Sequence, residues 1–577
     1  MFITLSNLFA LYPAQITRKT IDYIAEGLQQ KKLVGEAVWQ NETIKNFSSE
    51  FLQLLALVIG ATILKGIFMF FMRQSIIVMS RHVEYDQKNE IYNHYQQLPQ
   101  GFYKQNSTGD LMARISEDVG QVRMYVGPAI MYALNLVVLF ILTITAMLRV
   151  NAELTLYVLL PLPFLSISIY LVSDIINKKS LRLQNQLSTI STFVQETFSG
   201  ILVIKGYNRE KVFHENFSKS TEEYYNRSVD LIKTEATFGP IITLLIGLST
   251  LLTIYIGGKQ AILGKITVGN IAEFVMYVNM LTWPVTSIGW VTSIIQKAAA
   301  SQQRINEFLN VKNDIVNNAT NSSKFNLNEE IEFRNVSFTY EHTNIEALKN
   351  VSFKIFPHQT FAITGSTGSG KSTIAALLNR VYNVTEGEIL VDGINIQNLN
   401  IDEYKKQIAY VPQDVFLFSD TIKNNIAFAD NTLQIDKVEA IAKLAAVHHN
   451  ILGFSNGYDT VVGERGITLS GGQKQRISIA RALIKNANLL ILDDCLSAVD
   501  TETENEILNN LKLNSNRKTT IIISHRTSTL KDAEHIVVLD KGHIIEQGSQ
   551  QQLIAHNGVF ANTYNKEKFE NNLTEKV

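Results

Sequence analysis

The densest chemistry in the chain lies in eight consecutive residues, Gly365, Ser366, Thr367, Gly368, Ser369, Gly370, Lys371 and Ser372, spaced as G-x-x-x-x-G-K-S. They follow the apolar run Phe361 to Thr364 and precede the helix-like stretch TIAALLNRVY, which starts at Thr373. In a strand–loop–helix setting this spacing has a physical meaning. The glycines let backbone N–H groups curl around phosphate oxygens, and the helix start adds a favourable dipole. Lys371 is suited to neutralise the terminal phosphates of a nucleotide, and the Ser372 hydroxyl to ligate Mg2+. Further on, Leu489 to Leu492 reads as a buried strand ending at Asp493, with Asp494 next. A carboxylate at a strand end near such a loop is suited to hold Mg2+, directly or through water.

Positioning these groups requires a sheet with crossover helices. After residue 330, short β-branched runs (IEFRNVSF, TFAITG, EILVDG, QIAYVP, NLLILDD, TTIIISH and HIVVLD) alternate with helical patterns. That order predicts a predominantly parallel α/β sheet with an antiparallel β layer at its start. This domain is expected over residues 331–566, after a polar linker at 306–330 and before a polar tail at 567–577.

The first 305 residues differ in kind. The chain has 577 residues, 46% apolar and 18% charged, whereas a soluble protein carries about 25% charged residues. The deficit concentrates in apolar runs: Met1 to about Ile24, Phe51 to Met72, Met131 to Leu148, Leu154 to Ser173, Phe238 to Gly257 and Ile271 to Ile295. All but the first are long enough to cross a hydrocarbon core of about 30 Å as helices. The first is apolar only to Ile16 and reads as a shortened span, without the basic region and cleavage site of a signal peptide. Basic residues after the second run (Arg73, Arg81, Lys88) and the fourth (Lys178, Lys179, Arg182) place those loops and the C-terminal half in the cytoplasm. The loops at 74–125 and 174–235 are expected to continue the spans as helices beyond the lipid. Lys65 and Glu273 interrupt apolar runs and are candidates to face a polar cavity. Phe274, Tyr277 and Trp283 are weaker candidates for its lining, since aromatics in spans more often pack or sit at the interface. A net charge of −1 argues against a nucleic-acid partner. The single cysteine, Cys495, excludes an internal disulfide and reads as a small buried residue.

Leu469, Ser470, Gly471, Gly472 and Gln473, just before a helix pattern and ahead of Asp493, resemble the signature of ABC-type ATPases. Tyr340 resembles the aromatic that stacks on adenine, and Gln413 the glutamine that links Mg2+ to the transmembrane part. Ser497 to Asp500 resembles the D-loop, with Asp500 as its acid, and His525 the switch histidine. In the membrane half, Phe102 to Val119 and Gly200 to Glu210 look like the two cytoplasmic loops of ABC exporters. The resemblance implies a multi-domain half-transporter: an all-α six-helix transmembrane domain over 1–305, then an α/β P-loop ATPase with a helical subdomain. It further implies ATP and Mg2+ as ligands, and a second half-transporter as partner in the lipid bilayer. The ATP would be sandwiched between the P-loop of one subunit and the signature of the other. The setting implied is a bacterial inner membrane, with the ATPase cytoplasmic.

The sequence departs from the family pattern at chemically telling places. Asp494 stands where active sites carry the glutamate that polarises the attacking water. Being one methylene shorter, it predicts a site that binds ATP but hydrolyses it slowly. The signature is complete and would serve the partner's site, and LDDCLSAVD resembles the corresponding subunit of bacterial heterodimeric multidrug exporters. Val461 replaces a usual glutamate in the segment facing the transmembrane loops, leaving Glu464 and Arg465 as candidates there. The expected function is efflux of hydrophobic or amphipathic compounds. A homodimeric flippase for lipid or lipopolysaccharide precursor remains open, as does a regulatory or sensor membrane ATPase that transports nothing.

Overall fold

The computed structural model describes residues 1–34, 42–315, 317, 330–430, 434–463, 466, 468–514 and 518–574. They form two compact units, one of residues 1–96 and 109–311, the other of 97–108 and 312–577.

The first unit is helical. In chain order the long helices are α1 (Phe2–Val34), α2 (Glu42–Gln97), α4 (Thr108–Val150), α5 (Ala152–Ser199), α6 (Glu210–Ile262) and α7 (Val268–Leu309). A short helix α3 (Gln100–Gln105) belongs to the second unit. Among the described residues, four helices are long and apolar enough to cross a membrane: α2 from Ser49 onward, α4, α5 and α6. The other two runs also lie on helices, but polar residues dilute them. In α7 these include Asn270, Glu273, Asn279 and Ser287, and α1 carries Arg18, Lys19 and Asp22. Instead of stopping near Ile24, α1 continues to Val34. At 1.5 Å per residue, α2 with 56 residues and α6 with 53 extend about 80 Å, far beyond a bilayer core.

Polar contacts fix α1 against α7. Asp22 accepts hydrogen bonds from Gly269 N (2.9 Å) and Thr267 Oγ1 (2.8 Å) at the start of α7. Gly269 has no side chain because a Cβ there would overlap the Arg18 carbonyl oxygen. One turn on, Glu273 is buried; it pairs with Arg18 at 3.3 Å and accepts from Tyr277 Oη at 2.8 Å. Phe274 and Tyr277 are fully buried and pack in the same hydrophobic cluster. Lys65 is exposed.

Among its described residues, the second unit holds two sheets. An antiparallel sheet in the order β2-β1-β4-β5 is built from β1 (Ile331–Tyr340), β2 (Ile345–Ile355), β4 (Glu386–Val391) and β5 (Ile394–Asn395). The other has the order β10-β9-β3-β8-β7-β6. Its strands are β3 (Thr360–Gly365), β6 (Ile408–Val411), β7 (Leu489–Asp493), β8 (Thr519–Ile523), β9 (His535–Asp540) and β10 (His543–Gly548). All pairings in it are parallel except that of β10 with β9. The strands β7 and β8 are buried along their whole length, as expected of parallel strands covered on both faces. Because β8 lies between β3 and β7, the ends of the outer two strands are brought close enough for their loops to share one site.

Candidate nucleotide site

The phosphate loop runs from the end of β3 to helix α8 (Lys371–Leu378). Its shape depends on glycine. Gly365, Gly368 and Gly370 have φ of 141°, 77° and 100°, in the region that side-chain-bearing residues avoid. A Cβ on Gly365 would overlap the Leu539 carbonyl oxygen. Gly365→Ala is therefore expected to destabilise the second unit by about 3 kcal/mol, measured as a lowered unfolding transition of the purified chain.

Lys371 curls back over the loop, donating to the carbonyls of Ser366 (2.7 Å) and Gly365 (3.0 Å). Burial pushes its pKa below the usual lysine value, opposed by the charges of Asp494 and Asp493. An ammonium held by neutral carbonyls is poorly compensated, so a phosphate is a better partner than the loop itself. Ser366, Thr367 and Gly368 are exposed at the loop tip, where Ser366 Oγ donates to Asp540 at 2.7 Å; Ser369 and Thr373 are buried beneath. Tyr340 Oη lies 3.1 Å from Thr373 Oγ1, and Lys104 of α3 stands over the Tyr340 ring at 5.4 Å.

Asp493, at the end of β7, is 1% exposed and accepts from Ser372 Oγ at 2.9 Å and from Tyr410 Oη at 3.3 Å. Burial raises its pKa above the usual carboxylate value, while those two hydroxyls pull the other way. A buried carboxylate beside a hydroxyl is a hard-oxygen donor set, which fits Mg2+. The neighbouring Asp494 carboxylate accepts from Gln413 Nε2 at 3.3 Å. The structure therefore brings Lys371, Ser372, Asp493, Asp494 and Gln413 together from separate parts of the sequence. His525 is half-buried, one residue beyond Ser524, and no hydrogen bond of its side chain is found among the described residues.

The signature residues stand at the start of helix α9 (Gly471–Ile484). Ser470 Oγ accepts from Gln473 N at 3.3 Å and Gln473 Oε1 accepts from Ser470 N at 2.9 Å, a reciprocal capping box. Leu469 is buried, whereas Ser470 and Gly471 are exposed. Gly472 comes so close to Ala498 that a Cβ would stand 2.9 Å from its carbonyl oxygen. Asp500 caps helix α10 (Thr501–Asn514) by accepting from Thr503 N at 2.9 Å, and this bond holds its pKa below the usual carboxylate value.

Two connecting residues escaped the sequence reading. Gln475, buried on α9, accepts from Ala498 N (3.0 Å) and donates to Ser497 Oγ (3.3 Å). Arg526 donates to the carbonyls of Ser497 (3.0 Å) and Val499 (3.4 Å) and pairs with buried Glu504 (2.9 Å). Their available signal was adjacency, one lying two residues after the signature and the other directly after His525. Glu464 and Arg465 lie outside the described residues, while Val461 is exposed.

A glycine-dependent phosphate loop on a parallel sheet, joined in one chain to helices able to span a bilayer, defines a membrane protein driven by a nucleoside triphosphate. Comparison with known proteins gives the family. Residues 1–285 match the ABC transporter transmembrane region and residues 348–497 match ABC transporter. The chain is 36% identical over 482 residues to the multidrug resistance-like ATP-binding protein MdlA of Escherichia coli (strain K12), covering 83% of this chain and 81% of that one. It is 32% identical to the ATP-dependent lipid A-core flippase of Syntrophus aciditrophicus (strain SB), covering 90% and 85%. A solved bacterial Atm1-family ABC exporter with ATP bound superposes with a TM-score of 0.76 at 25% identity, covering 98% of each chain. The chain belongs to the ABC transporter family and has the fold of an ABC exporter, with an ATP-binding domain after its membrane domain.

Proposed function

We propose that this chain is one half of an ATP-driven exporter of hydrophobic or amphipathic compounds. It works beside a second, different half-transporter in the bacterial inner membrane. The relatives named for multidrug resistance support the class of cargo. A cavity of about 220 Å3 between α5 and α7, bordered by polar Ser173, Asn177 and Gln296 and by apolar Ile169, Val285 and Ile288, supports an amphipathic one.

The observation that carries the asymmetric reading is Asp494. It occupies the place of the water-polarising base within reach of Gln413, while the signature of the same chain is complete. The backbone N–H groups of residues 365–370 and the Lys371 ammonium bind the phosphates, and the Tyr340 ring receives adenine. Ser372 and Asp493 would hold Mg2+, which supplies charge neutralisation when bound. Asp494 holds a water through a carboxylate set back by one methylene, so proton acceptance there is slow. Ser470 to Gln473 present their exposed helix start to nucleotide on the partner. Binding of ATP closes the pair and hydrolysis at the partner's P-loop reopens it.

The test is co-purification with half-transporters that carry glutamate after the strand-end aspartate, followed by transport into vesicles. In the active pair, Asp494→Ala is expected to lower ATPase activity by no more than about threefold, because the principal base sits elsewhere. A fully active homodimer of this chain would overturn the asymmetric reading. ATP-dependent conformational change without cargo movement, in pairs that do hydrolyse ATP, would overturn the exporter reading.

A further inference from the structure

Between α5 and α6 lies a cavity of about 430 Å3 lined by Lys179, Arg182, Arg227 and Asp230. Three cations and one carboxylate line it; Asp230 pairs with Lys179 and Glu223, outside the lining, pairs with Arg227, which leaves the charge of Arg182 uncompensated among the described residues. Lys179 is saturated: its ammonium donates to Asp230 Oδ1 (2.8 Å), Asp230 O (3.4 Å) and Thr234 Oγ1 (2.9 Å). It braces the two helices and contributes charge. Arg227 donates to the Arg182 carbonyl (2.9 Å) and to Glu223 (2.5 Å), which leaves part of its five-donor guanidinium unclaimed. Lys178 is paired with Asp174 at 2.7 Å, outside the lining. The Arg182 side chain makes no hydrogen bond or ion pair among the described residues, so a whole guanidinium fork faces the cavity unused. One unclaimed arginine fork, beside a second arginine with donors to spare and a braced lysine, is a donor set suited to the oxygens of a phosphate.

The depth of the cavity specifies where such a phosphate comes from. The apolar run in α5 ends at Ser173, and at 1.5 Å per residue Lys179 follows by about 9 Å and Arg182 by about 13 Å. On α6, Asp230 precedes the run beginning at Phe238 by about 12 Å and Arg227 by about 16 Å, so Arg182 is the nearer of the two arginines to the lipid. The headgroup layer extends roughly 5–8 Å beyond the hydrocarbon, and long basic side chains reach back toward it. We propose that this cavity is a binding site for a phosphate group presented at the cytoplasmic membrane surface, the headgroup of an anionic phospholipid. Bound there, the phosphate joins α5 to α6 on the cytoplasmic side. The inference depends on the membrane orientation of the helices and is independent of cargo or partner.

The experiment uses the full-length chain in phosphatidylcholine nanodiscs doped with phosphatidylglycerol, with retained lipid counted by native mass spectrometry. Arg182→Gln, whose side chain has no structural partner to lose, is expected to retain about fivefold less phosphatidylglycerol. Lys233→Gln, on the same stretch of α6 but outside the lining, is expected to retain as much as the parent. A second arm adds millimolar inorganic phosphate. If it leaves the bound lipid in place, the headgroup is the ligand. If it displaces the lipid and itself binds in an Arg182-dependent manner, the phosphate chemistry stands but its source is soluble. Equal retention by Arg182→Gln and the parent, or equal losses from Arg182→Gln and Lys233→Gln, would overturn the site.

Discussion

Replacing Asp494 with glutamate is expected to raise ATP turnover at this chain's own site by about 10²-fold. The backbone at Asp494 is pinned. Its φ is 47°, its N–H donates to Ile523 O at 2.8 Å, and its carbonyl accepts from Ser497 Oγ at 3.0 Å. With the main chain held in this way, the reach of the carboxylate is set by side-chain length alone. One more methylene advances it by about 1.5 Å, comparable to the displacement that separates a competent base from a weak one. Some stability is lost, because aspartate tolerates a left-handed backbone better than glutamate does. The measurement is single-turnover hydrolysis in the proposed heterodimer, with the glutamate expected at the other half-transporter's site changed to glutamine. An unchanged rate in Asp494→Glu would mean that some other feature limits this site.

Arg526→Ala is expected to cost the second unit about 3–5 kcal/mol, with the lower end favoured because the guanidinium is partly exposed. The cause is the residue left behind. Glu504 is 2% exposed, and after the change its carboxylate retains Thr529 Oγ1 at 2.5 Å as its remaining side-chain donor. At the same time the carbonyls of Ser497 and Val499 lose their guanidinium, so the segment between Asp494 and Asp500 is freed on one side. Calorimetric unfolding of the full chain measures the first effect. Arg526→Lys separates the two, because it keeps a charge near Glu504 but cannot fork to both carbonyls. Recovery of stability without recovery of ATPase activity is the expected pattern for that variant.

Much of the nucleotide site was legible because its residue types are dictated by local geometry. Glycines at 365, 368 and 370 mark a loop able to curl round phosphate, and Leu469 to Gln473 stand out ahead of a helix pattern, whereas the capping box between Ser470 and Gln473 emerges from the fold. The strand ending at Asp493 was visible from its unbroken apolar run. What could not be read was pairing across the sequence. Nothing local says that Ser372 meets Asp493, that Gln475 holds Ala498, or that Arg526 spans three partners. In the membrane half, apolar runs located the helices but not their partners. Glu273 stood out as an intramembrane charge, whereas its neutralisation by Arg18, 255 positions earlier, required the fold.

The fastening of α1 to α7 has a mechanical consequence. Asp22, Arg18 and Glu273 engage side chains and backbone over successive turns, and Gly269 lets the two helices touch main chain to main chain. Sliding one helix past the other would strip the buried Glu273 carboxylate of its guanidinium and unseat the start of α7 in the same stroke. The two helices therefore behave as one lever during any alternation of the membrane half. The strain of opening and closing must then be taken up by joints elsewhere in the bundle.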